Sequence, residues 1–411
     1  MPRVSVVIPA WNLWDMTRAC LESLAAHTPP NLLEVCVADN GSEDATAGQL
    51  EPLGKALFGD RFRRVRFEEN RGFAMGSNAA ALAASGDYVL FLNNDTLALP
   101  GWLPPLLEPF ISGGEQGRVG AVGPLLLYEG GERVQHYGVA FTYGGVQHLY
   151  AHFPANHPAV AKPRRFQAMT AAALLMPRQL FMDVGMFHEG YRNGFEDLDL
   201  CFSLARVGYT LQSAPQSRMI HRESQTPGRK QHDPANAALF AERWKDPVKR
   251  DLYAFAGEDG LDVCLSDTLE TCVCLPPRKE AELNRMAAPM TDSADVWELL
   301  RAWPVWRGGY ARMSALLDEA RRFDDALYVR VLESQLFPGP QAAEALERAA
   351  GNAGSVELAA QAGSERLRQA EIMNNIAAMQ RKASLLARQA RRDGAMDVEA
   401  LYLRWLHKHG G

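Results

Sequence analysis

Apolar runs alternate with helical patterns through the first 92 residues. Four short, largely apolar runs predict buried strands at residues 4–8, 33–38, 64–67 and 88–92. Apolar positions at helical spacing predict helices at residues 13–27 and 74–84, and Ser42 or Asp44 can cap a third helix that follows the second strand. This alternation predicts an α/β domain with a mostly parallel, doubly wound, Rossmann-like sheet and right-handed crossovers.

Polar side chains follow three of these strands. They are Asp39-Asn40, Asn70-Arg71-Gly72 and Asn93-Asn94-Asp95. In open parallel sheets, ligands bind where the carboxyl ends of the strands meet the loops. The three clusters therefore predict a binding site at one edge of the sheet.

The rest of the first half has a looser pattern. Residues 119–176 are strand-like and rich in loops, residues 178–184 and 196–207 predict helices, and residues 209–213 predict a strand. Residues 221–232 are polar and contain Pro227 and Gly228, so we expect a loop there.

The composition changes after residue 253. We expect a catalytic domain at residues 1–253, a linker of undefined structure at 254–280 and an all-α C-terminal domain at 281–411, where Ala, Glu, Arg and Leu dominate. Residues 310–338 resemble one tetratricopeptide-type helical hairpin, and a plain helical bundle is the alternative. Residues 362–411 are basic, which indicates a solvated helix face or a surface for anionic lipid headgroups.

Charge and cysteine content narrow the functional class. The net charge of −6 over 411 residues does not favour a nucleic-acid partner. No apolar run approaches the roughly 18–20 residues that cross a bilayer, and the N-terminus lacks the pattern of a signal peptide. Six cysteines are too few for a disulfide framework, so we expect a cytoplasmic protein, with contact at the inner face of the membrane as an alternative.

Three acidic residues and one histidine are candidates for chemistry. Asp95 can bind a hard divalent cation through oxygen, or it can cap a helix that begins near residue 100. His221 can complete such a metal site or have only a structural role. Glu196 and Asp197 begin a helix, where they can interact with its dipole or supply a general base.

Six motifs in the same order resemble glycosyltransferase family 2, whose members have the GT-A fold. The resemblance covers residues 3 to about 253. Among the members of the family, this chain resembles the rhamnosyltransferases and the O-antigen-type bacterial proteins. The motifs are VSVVIPAWN at 4–12, ADNGSED at 38–44, NRGFA at 70–74 with Gly76 and Asn78, LNNDT at 92–96, FEDLDLC at 195–201 and HRES at 221–224. The family's D-x-D motif has Asn93 at its first position here, which removes one charge from the metal site.

The resemblance implies a role for each matching residue. It assigns the binding of a Mn²⁺ or Mg²⁺ ion to Asp95 and His221. It assigns the catalytic base to Asp197 and acceptor orientation to Glu196. Asp39 would receive the nucleotide base. The donor-binding set comprises Pro9, Ala10, Trp11, Asn12, Asp39, Asn40, Arg71, Gly72, Asn78, Asn93, Asn94 and Arg229, and Arg229 with Lys230 would close over the diphosphate.

The resulting expectation is an inverting, metal-dependent glycosyltransferase of cell-surface polysaccharide synthesis. It would move a sugar from a UDP-, dTDP- or GDP-sugar to a glycan, a lipid-linked glycan or a protein, and its helical domain would recruit the acceptor or form a homodimer. One alternative is a nucleotidyltransferase, although residues 9–13 lack phosphate-binding glycines. Another is a non-catalytic carbohydrate-binding scaffold, although Asp95 and Asp197 are both present.

Overall fold

The structure is a computed structural model that describes residues 3–29, 31–111, 118–222, 233–244 and 248–410. The chain divides into two compact units. The first unit comprises Met1–Ala140, His148–Ala151 and Pro158–Lys249, and the second comprises Phe141–Gln147, His152–His157 and Arg250–Gly411.

The elements follow one another in chain order. The strands are β1 Val4–Ala10, β2 Leu33–Asn40, β3 Phe62–Phe67, β4 Tyr88–Leu92, β5 Thr96–Ala98, β6 Val119–Leu127, β7 Val134–His136, β8 Val139–Phe141, β9 Val146–His148, β10 Arg165–Phe166, β11 Ala173–Pro177, β12 Thr210–His221, β13 Asp262–Leu265 and β14 Thr271–Cys274. The helices are α1 Trp14–His27, α2 Thr46–Phe58, α3 Gly72–Ala83, α4 Leu103–Ile111, α5 Arg178–Asp183, α6 Glu196–Arg206, α7 Asp233–Arg243, α8 Leu252–Glu258, α9 Pro277–Ala287, α10 Ser293–Ala302, α11 Arg307–Glu319, α12 Phe323–Leu336, α13 Pro340–Asn352, α14 Val356–Asn374, α15 Ile376–Arg392 and α16 Met396–Lys408.

One sheet organises the first unit, in the strand order β10-β12-β6-β11-β4-β1-β2-β3, with β5 paired to β12 and β7 paired to β6. The four strands predicted from apolar runs are neighbours, and all their pairings are parallel. Strand β11 then pairs antiparallel to β4 and to β6, whereas β12 runs parallel to β6. The predicted α/β class is confirmed, and the added half of the sheet is mixed.

The core of this unit lies between the central strands and the helices that flank them. Val6 and Ile8 of β1 and Val37 of β2 are fully buried, as continuous apolar strands in a covered parallel sheet require. Helices α1, α2 and α4 place apolar side chains on the same cluster, among them the fully buried Leu24 of α1 and Leu106 of α4. This packing holds β1, β2 and β4 in place, and their carboxyl ends carry the polar clusters identified in the sequence.

Strand β12 is longer than the sequence predicts. The expected strand ended at residue 213, but β12 continues to His221, and its pairing with β6 shifts between Ala214 and Arg218. This irregularity, which contains Pro215, interrupts the alternation of apolar and polar residues that identifies a strand. His221 is therefore the last residue of a strand and is paired with Thr96 of β5.

The second unit contains helical hairpins in addition to one β-hairpin. The segment expected to be a linker forms α8, the β13–β14 hairpin and the start of α9. Helices α11–α16 then form three successive hairpins, whereas the sequence indicates only one. In the later hairpins, buried positions are taken by small residues such as Ala350 and Ala390 as well as by large ones such as Tyr402 and Trp405, so the same residue pattern is not repeated from one hairpin to the next.

The three helical hairpins share one turn. Arg321, Gly354 and Gly394 each have a left-handed backbone, with φ of 57°, 72° and 75°. The residue after each one donates its N–H to a carbonyl five residues back: Arg322 to Leu317 at 2.8 Å, Ser355 to Ala350 at 2.9 Å and Ala395 to Ala390 at 2.9 Å. This is the Schellman motif, which satisfies the last carbonyls of a helix.

Over the described part of the chain, no helix has both the length and the apolarity needed to span a bilayer.

Candidate functional site

A cleft opens in the first unit beside the carboxyl ends of β1, β2 and β4. It holds about 910 Å³, counted out to its open mouth. Its lining is Pro9, Ala10, Trp11, Asn40, Asn70, Gly72, Phe73, Asn93, Asn94, Asp95, Thr170, Ala171, Ala172, Asn193, Glu196 and Asp197. Ten of the predicted site residues therefore line the same cleft, although they are up to 188 positions apart in the chain.

Asp95 and His221 meet beside this cleft. Asp95 Oδ1 lies 3.2 Å from His221 Nε2, and the same ring nitrogen lies 3.1 Å from Asn93 Nδ2. The pairing of β5 with β12 brings them together, because it places His221 opposite Thr96, the residue after Asp95. Asp95 precedes β5 and is not the cap of a helix, since the next helix begins only at Leu103.

This pair fits two neighbouring ligands of a divalent cation. Ligands about 2.1 Å from an octahedral ion lie roughly 3.0 Å apart when they are adjacent, close to the separation of Asp95 Oδ1 and His221 Nε2. Within the described ranges, no group of three His, Cys, Asp or Glu side chains could hold a metal ion. Water or a bound diphosphate can supply further ligands, as is common for Mg²⁺.

Glu196 and Asp197 are placed by a loop of unusual backbone geometry. Asn193, Gly194 and Phe195 all have positive φ, at 53°, 154° and 74°. For a bulky residue such as Phe195 this conformation is unfavourable, and it persists only where the surroundings enforce it. The loop directs the first turn of α6 at the cleft. Glu196 turns back to accept the Gly194 N–H at 2.7 Å.

The carboxylate of Asp197 is held by backbone donors. Its Oδ2 accepts the N–H of Ala171 at 3.2 Å, and its Oδ1 accepts the N–H of Leu198 at 2.9 Å. The neighbouring carbonyl of Ala172 accepts the N–H of Asn93 at 3.0 Å. The short segment before β11 thus touches both the Asp197 side and the Asn93–Asp95 side of the cleft.

The loops after β1 and β2 are tied together by Asn12. Its backbone N–H donates to Ser42 Oγ at 2.9 Å, and its Oδ1 accepts the N–H groups of Glu43 and Asp44 at 2.9 and 3.3 Å. Asn12 does not line the cleft. Its neighbour Trp11 does, with 38% of its surface exposed. The predicted donor loop therefore has one residue that faces the cavity and one that fixes the loop.

Asp39 has partners of its own. Its side chain is fully buried, forms ion pairs with Arg64 and Arg66, and accepts the Ser42 N–H at 2.9 Å. Burial acts to raise the pKa of Asp39, but hydrogen bonds from Arg64 and Ser42 outweigh it and hold the pKa below its ordinary value. Asp39 does not line the cleft, and its contact with a nucleotide base stays a prediction.

Two further predicted residues lie away from the lining. Asn78 is buried, and its amide is occupied by the backbone N–H and carbonyl of Phe187 at 3.0 and 2.9 Å and by Glu189 at 3.0 Å. It joins α3 to the segment after α5, so the expectation that it lines the pocket is corrected. Arg71 is exposed and pairs with Glu69 at 3.0 Å. Arg229 and Lys230 lie outside the described residues.

The start of α3 approaches the cleft closely. Asn70 Oδ1 accepts the N–H of Gly72 at 2.9 Å, and Gly72 has a φ of 84°. One turn later, a Cβ at Gly76 would lie 2.8 Å from Nδ2 of Asn40. Asn40 in turn donates to the Gly72 carbonyl at 3.2 Å. The glycines of this motif therefore allow the helix to pack against the cleft residue Asn40.

Comparison with known families agrees with this site. Residues 5–161 match the sequence model described as Glycosyl transferase family 2. Over these residues the chain is similar to that family. The match confirms the expected resemblance to this family over residues 5–161.

Similar proteins have been catalogued in bacteria. An uncharacterized protein of Sinorhizobium fredii is 32% identical over 257 residues, which are 61% of this chain and 27% of that protein. The O-antigen biosynthesis protein RfbC of Myxococcus xanthus is 30% identical over 232 residues, 54% of this chain and 17% of that protein. The chain thus spans about a quarter or less of the length of these relatives.

A solved structure of GalNAc-T7 with UDP, GalNAc and Mn²⁺ is also similar. It shares 19% identity with a TM-score of 0.49, and the alignment covers 63% of this chain and 51% of that one.

In the first unit, Asp199 holds the C-terminal end of α7 through hydrogen bonds. Its Oδ1 accepts Nε of Arg243 at 2.7 Å, the indole N–H of Trp244 at 2.7 Å and the hydroxyl of Tyr191 at 3.1 Å, and its Oδ2 accepts Nη2 of Arg243 at 3.2 Å. Asp199 is buried and does not line the cleft. Although Asp199 is only two positions after Asp197 in the sequence, it has a structural role.

Sequence analysis missed part of the lining. Thr170, Ala171 and Ala172 are small residues before an ordinary apolar strand, and nothing in their pattern indicates contact with Asp197. Asn193 lies outside the six motifs, yet its Oδ1 accepts the Phe73 N–H at 3.2 Å and links the starts of α6 and α3. Its position two residues before the acidic motif at 195–201 is the one signal that could have indicated it.

Proposed function

We propose that this chain transfers a glycosyl group, with inversion, from a nucleotide-sugar donor to an acceptor hydroxyl. The observation that carries the proposal is that Asp95 and Asp197 line the same cleft, one beside His221 and the other fixed by backbone N–H groups. The family supports the reaction class. Their shared cleft supports one site for donor and acceptor.

The metal site of the proposal consists of Asp95 and His221. A Mn²⁺ or Mg²⁺ ion bound there would offset the negative charge that develops on the departing diphosphate. Asn93 contributes an amide where a second carboxylate would add charge. Trp11, Asn40 and Gly72 lie on the same cleft and would contact the donor.

Asp197 is the proposed general base. It takes the proton of the acceptor hydroxyl while that oxygen forms a bond to the anomeric carbon. The bond from the anomeric carbon to the diphosphate oxygen breaks, and the nucleoside diphosphate leaves with the electron pair. The hydrogen bonds from Ala171 and Leu198 hold the carboxylate in one orientation, and Glu196 lines the cleft beside it to orient the acceptor.

Replacement of Asp197 by Asn tests the proposal. The asparagine keeps the shape but cannot take the proton, so we expect release of nucleoside diphosphate from a UDP-, dTDP- or GDP-sugar to fall by about 10²–10⁴-fold. Thermal shift with the same donor and Mn²⁺ should still show binding. Asp183→Asn, at an exposed carboxylate of α5, is the matched control. An Asp197→Asn enzyme with the normal rate would remove Asp197 from the role of base.

The substrates and surroundings form a wider proposal. The name of the Myxococcus relative supports an acceptor in cell-surface polysaccharide synthesis, either a glycan or a lipid-linked glycan, with a protein as the alternative.

We also propose a cytoplasmic location, with membrane contact through exposed basic residues of α15 such as Arg381 and Arg388, and dimerisation through the helical unit. Flotation with anionic vesicles and sedimentation of the full chain test the last two.

A further inference from the structure

A buried glutamine lies directly behind the proposed metal ligand His221. Gln135 is on β7, the short strand that pairs with β6, and only 1% of its surface is exposed. It is 86 positions from His221 in the chain. No sequence motif contains it, and it does not line the cleft.

Both ends of the Gln135 amide contact the same residue. Its Nε2 donates to the backbone carbonyl of His221 at 2.9 Å, and its Oε1 lies 2.6 Å from Nδ1 of the His221 ring. The first contact fixes which end is nitrogen, because a carbonyl oxygen can only accept a hydrogen bond. The amide oxygen therefore faces the ring.

That orientation determines the tautomer of His221. An amide oxygen cannot donate, so Nδ1 must carry the proton for a hydrogen bond to form. In the neutral ring, Nε2 then has its lone pair exposed on the opposite side, where Asp95 Oδ1 lies at 3.2 Å and Asn93 Nδ2 at 3.1 Å. Nitrogen ligands of metals are commonly oriented in this way by a partner on the other ring nitrogen.

We propose that Gln135 is a positioning residue that fixes the Nδ1–H tautomer and the ring orientation of His221, so that the Nε2 lone pair points to the cation site shared with Asp95. This inference rests on the proposed function, because it requires that a cation bind there. Gln135 does not touch substrate and acts only through His221.

The test separates this role from a purely structural one with two variants. Gln135→Met removes both hydrogen bonds. Gln135→Glu keeps an oxygen for Nδ1–H but places a carboxylate oxygen against the His221 carbonyl, so it should be the less stable variant. If Gln135 orients the ligand, Mn²⁺ affinity should fall by about 10–100-fold in Gln135→Met and remain within a few-fold of the parent in Gln135→Glu.

Mn²⁺ binding to the full chain would be followed by electron paramagnetic resonance of the free ion, with the metal alone and with UDP. Gln167→Met is the matched control. Gln167 also uses both amide ends on one residue, Lys249, at 2.7 and 2.9 Å, but away from the cleft. If Mn²⁺ affinity instead follows the unfolding free energy across the three variants, Gln135 has only a structural role.

A metal-free readout keeps the two proposals distinguishable. In the full chain labelled with ¹⁵N-histidine, the His221 signals, assigned with His221→Asn, should show a proton on Nδ1 in the parent and a loss of that preference in Gln135→Met. An Nε2-protonated ring in the parent would overturn the inference. A parent with the expected tautomer that does not bind Mn²⁺ would instead overturn the metal site, and with it the purpose assigned to Gln135.

Discussion

Replacement of Asp199 by Asn tests whether two acids of one motif have different roles, Asp199 in stability and Asp197 in turnover. Asp199 accepts four hydrogen bonds, two from Arg243 and one each from Trp244 and Tyr191. An asparagine offers one acceptor oxygen and directs an NH₂ group at the donors that remain. The change therefore weakens several charge-assisted contacts and leaves Arg243 without its counter-charge.

The expected magnitude follows from these contacts. Hydrogen bonds to a charged group contribute about 1.5–3 kcal/mol each, and loss of one partner of a buried ion pair costs about 3–5 kcal/mol. The Arg243 side chain is 33% exposed, so water partly solvates the charge left behind. We therefore expect the free energy of unfolding to fall by about 2–3 kcal/mol.

The assay is urea unfolding of the full chain, followed by tryptophan fluorescence and compared with the unfolding of Asp197→Asn. The two variants remove one charge each from the same helix, two residues apart. We expect Asp199→Asn to lose stability, and Asp197→Asn to retain stability and lose turnover. An Asp199→Asn protein within about 0.5 kcal/mol of the parent would refute the reasoning, since that is the ordinary range for a surface change.

Two other predictions concern Asp39 and Asn93. The folded-state pKa of Asp39 is held below its unfolded value of about 3.9, so the stabilisation from its ionised form is present above about pH 4 and is lost as the pH falls through the folded pKa. Asp39→Asn should therefore be less stable than the parent at neutral pH, and the difference should shrink as the pH falls below about 4 in acid-unfolding curves; a difference that does not change with pH would contradict the assignment. Asn93→Asp adds a carboxylate near His221 Nε2, so we expect Mn²⁺ affinity to rise on the order of tenfold in the same resonance titration; unchanged affinity would place the ion away from Asn93.

Local sequence patterns predicted much of the first unit. The strands β1–β4 and the helices α1 and α3 follow from apolar spacing, because each pattern is contained within about fifteen residues, whereas α2 was indicated by a capping residue. The polar residues after the strands could be placed at one edge from the parallel topology alone. That placement predicts a shared site for Asn40, Gly72 and Asp95, and all three line the cleft.

What the sequence did not reveal depends on contacts between distant residues. Asn78 pairs with Phe187 across 109 positions, and Gln135 with His221 across 86. Whether Asp39 faces a ligand or two arginines depends on β3, which lies beside it in the sheet. Such partners follow from the tertiary arrangement of distant segments, which local apolar periodicity does not specify.

The turn shared by the helical hairpins affects how homologues of this chain can differ in length. Each turn is closed by backbone bonds within its own two helices, so its formation does not depend on how many hairpins precede or follow it. A gene could therefore gain or lose one such pair in a single duplication or deletion and still encode well-ended helices. We expect homologues to vary in the length of this region by roughly 33–40 residues at a time, the spacing between Arg321, Gly354 and Gly394.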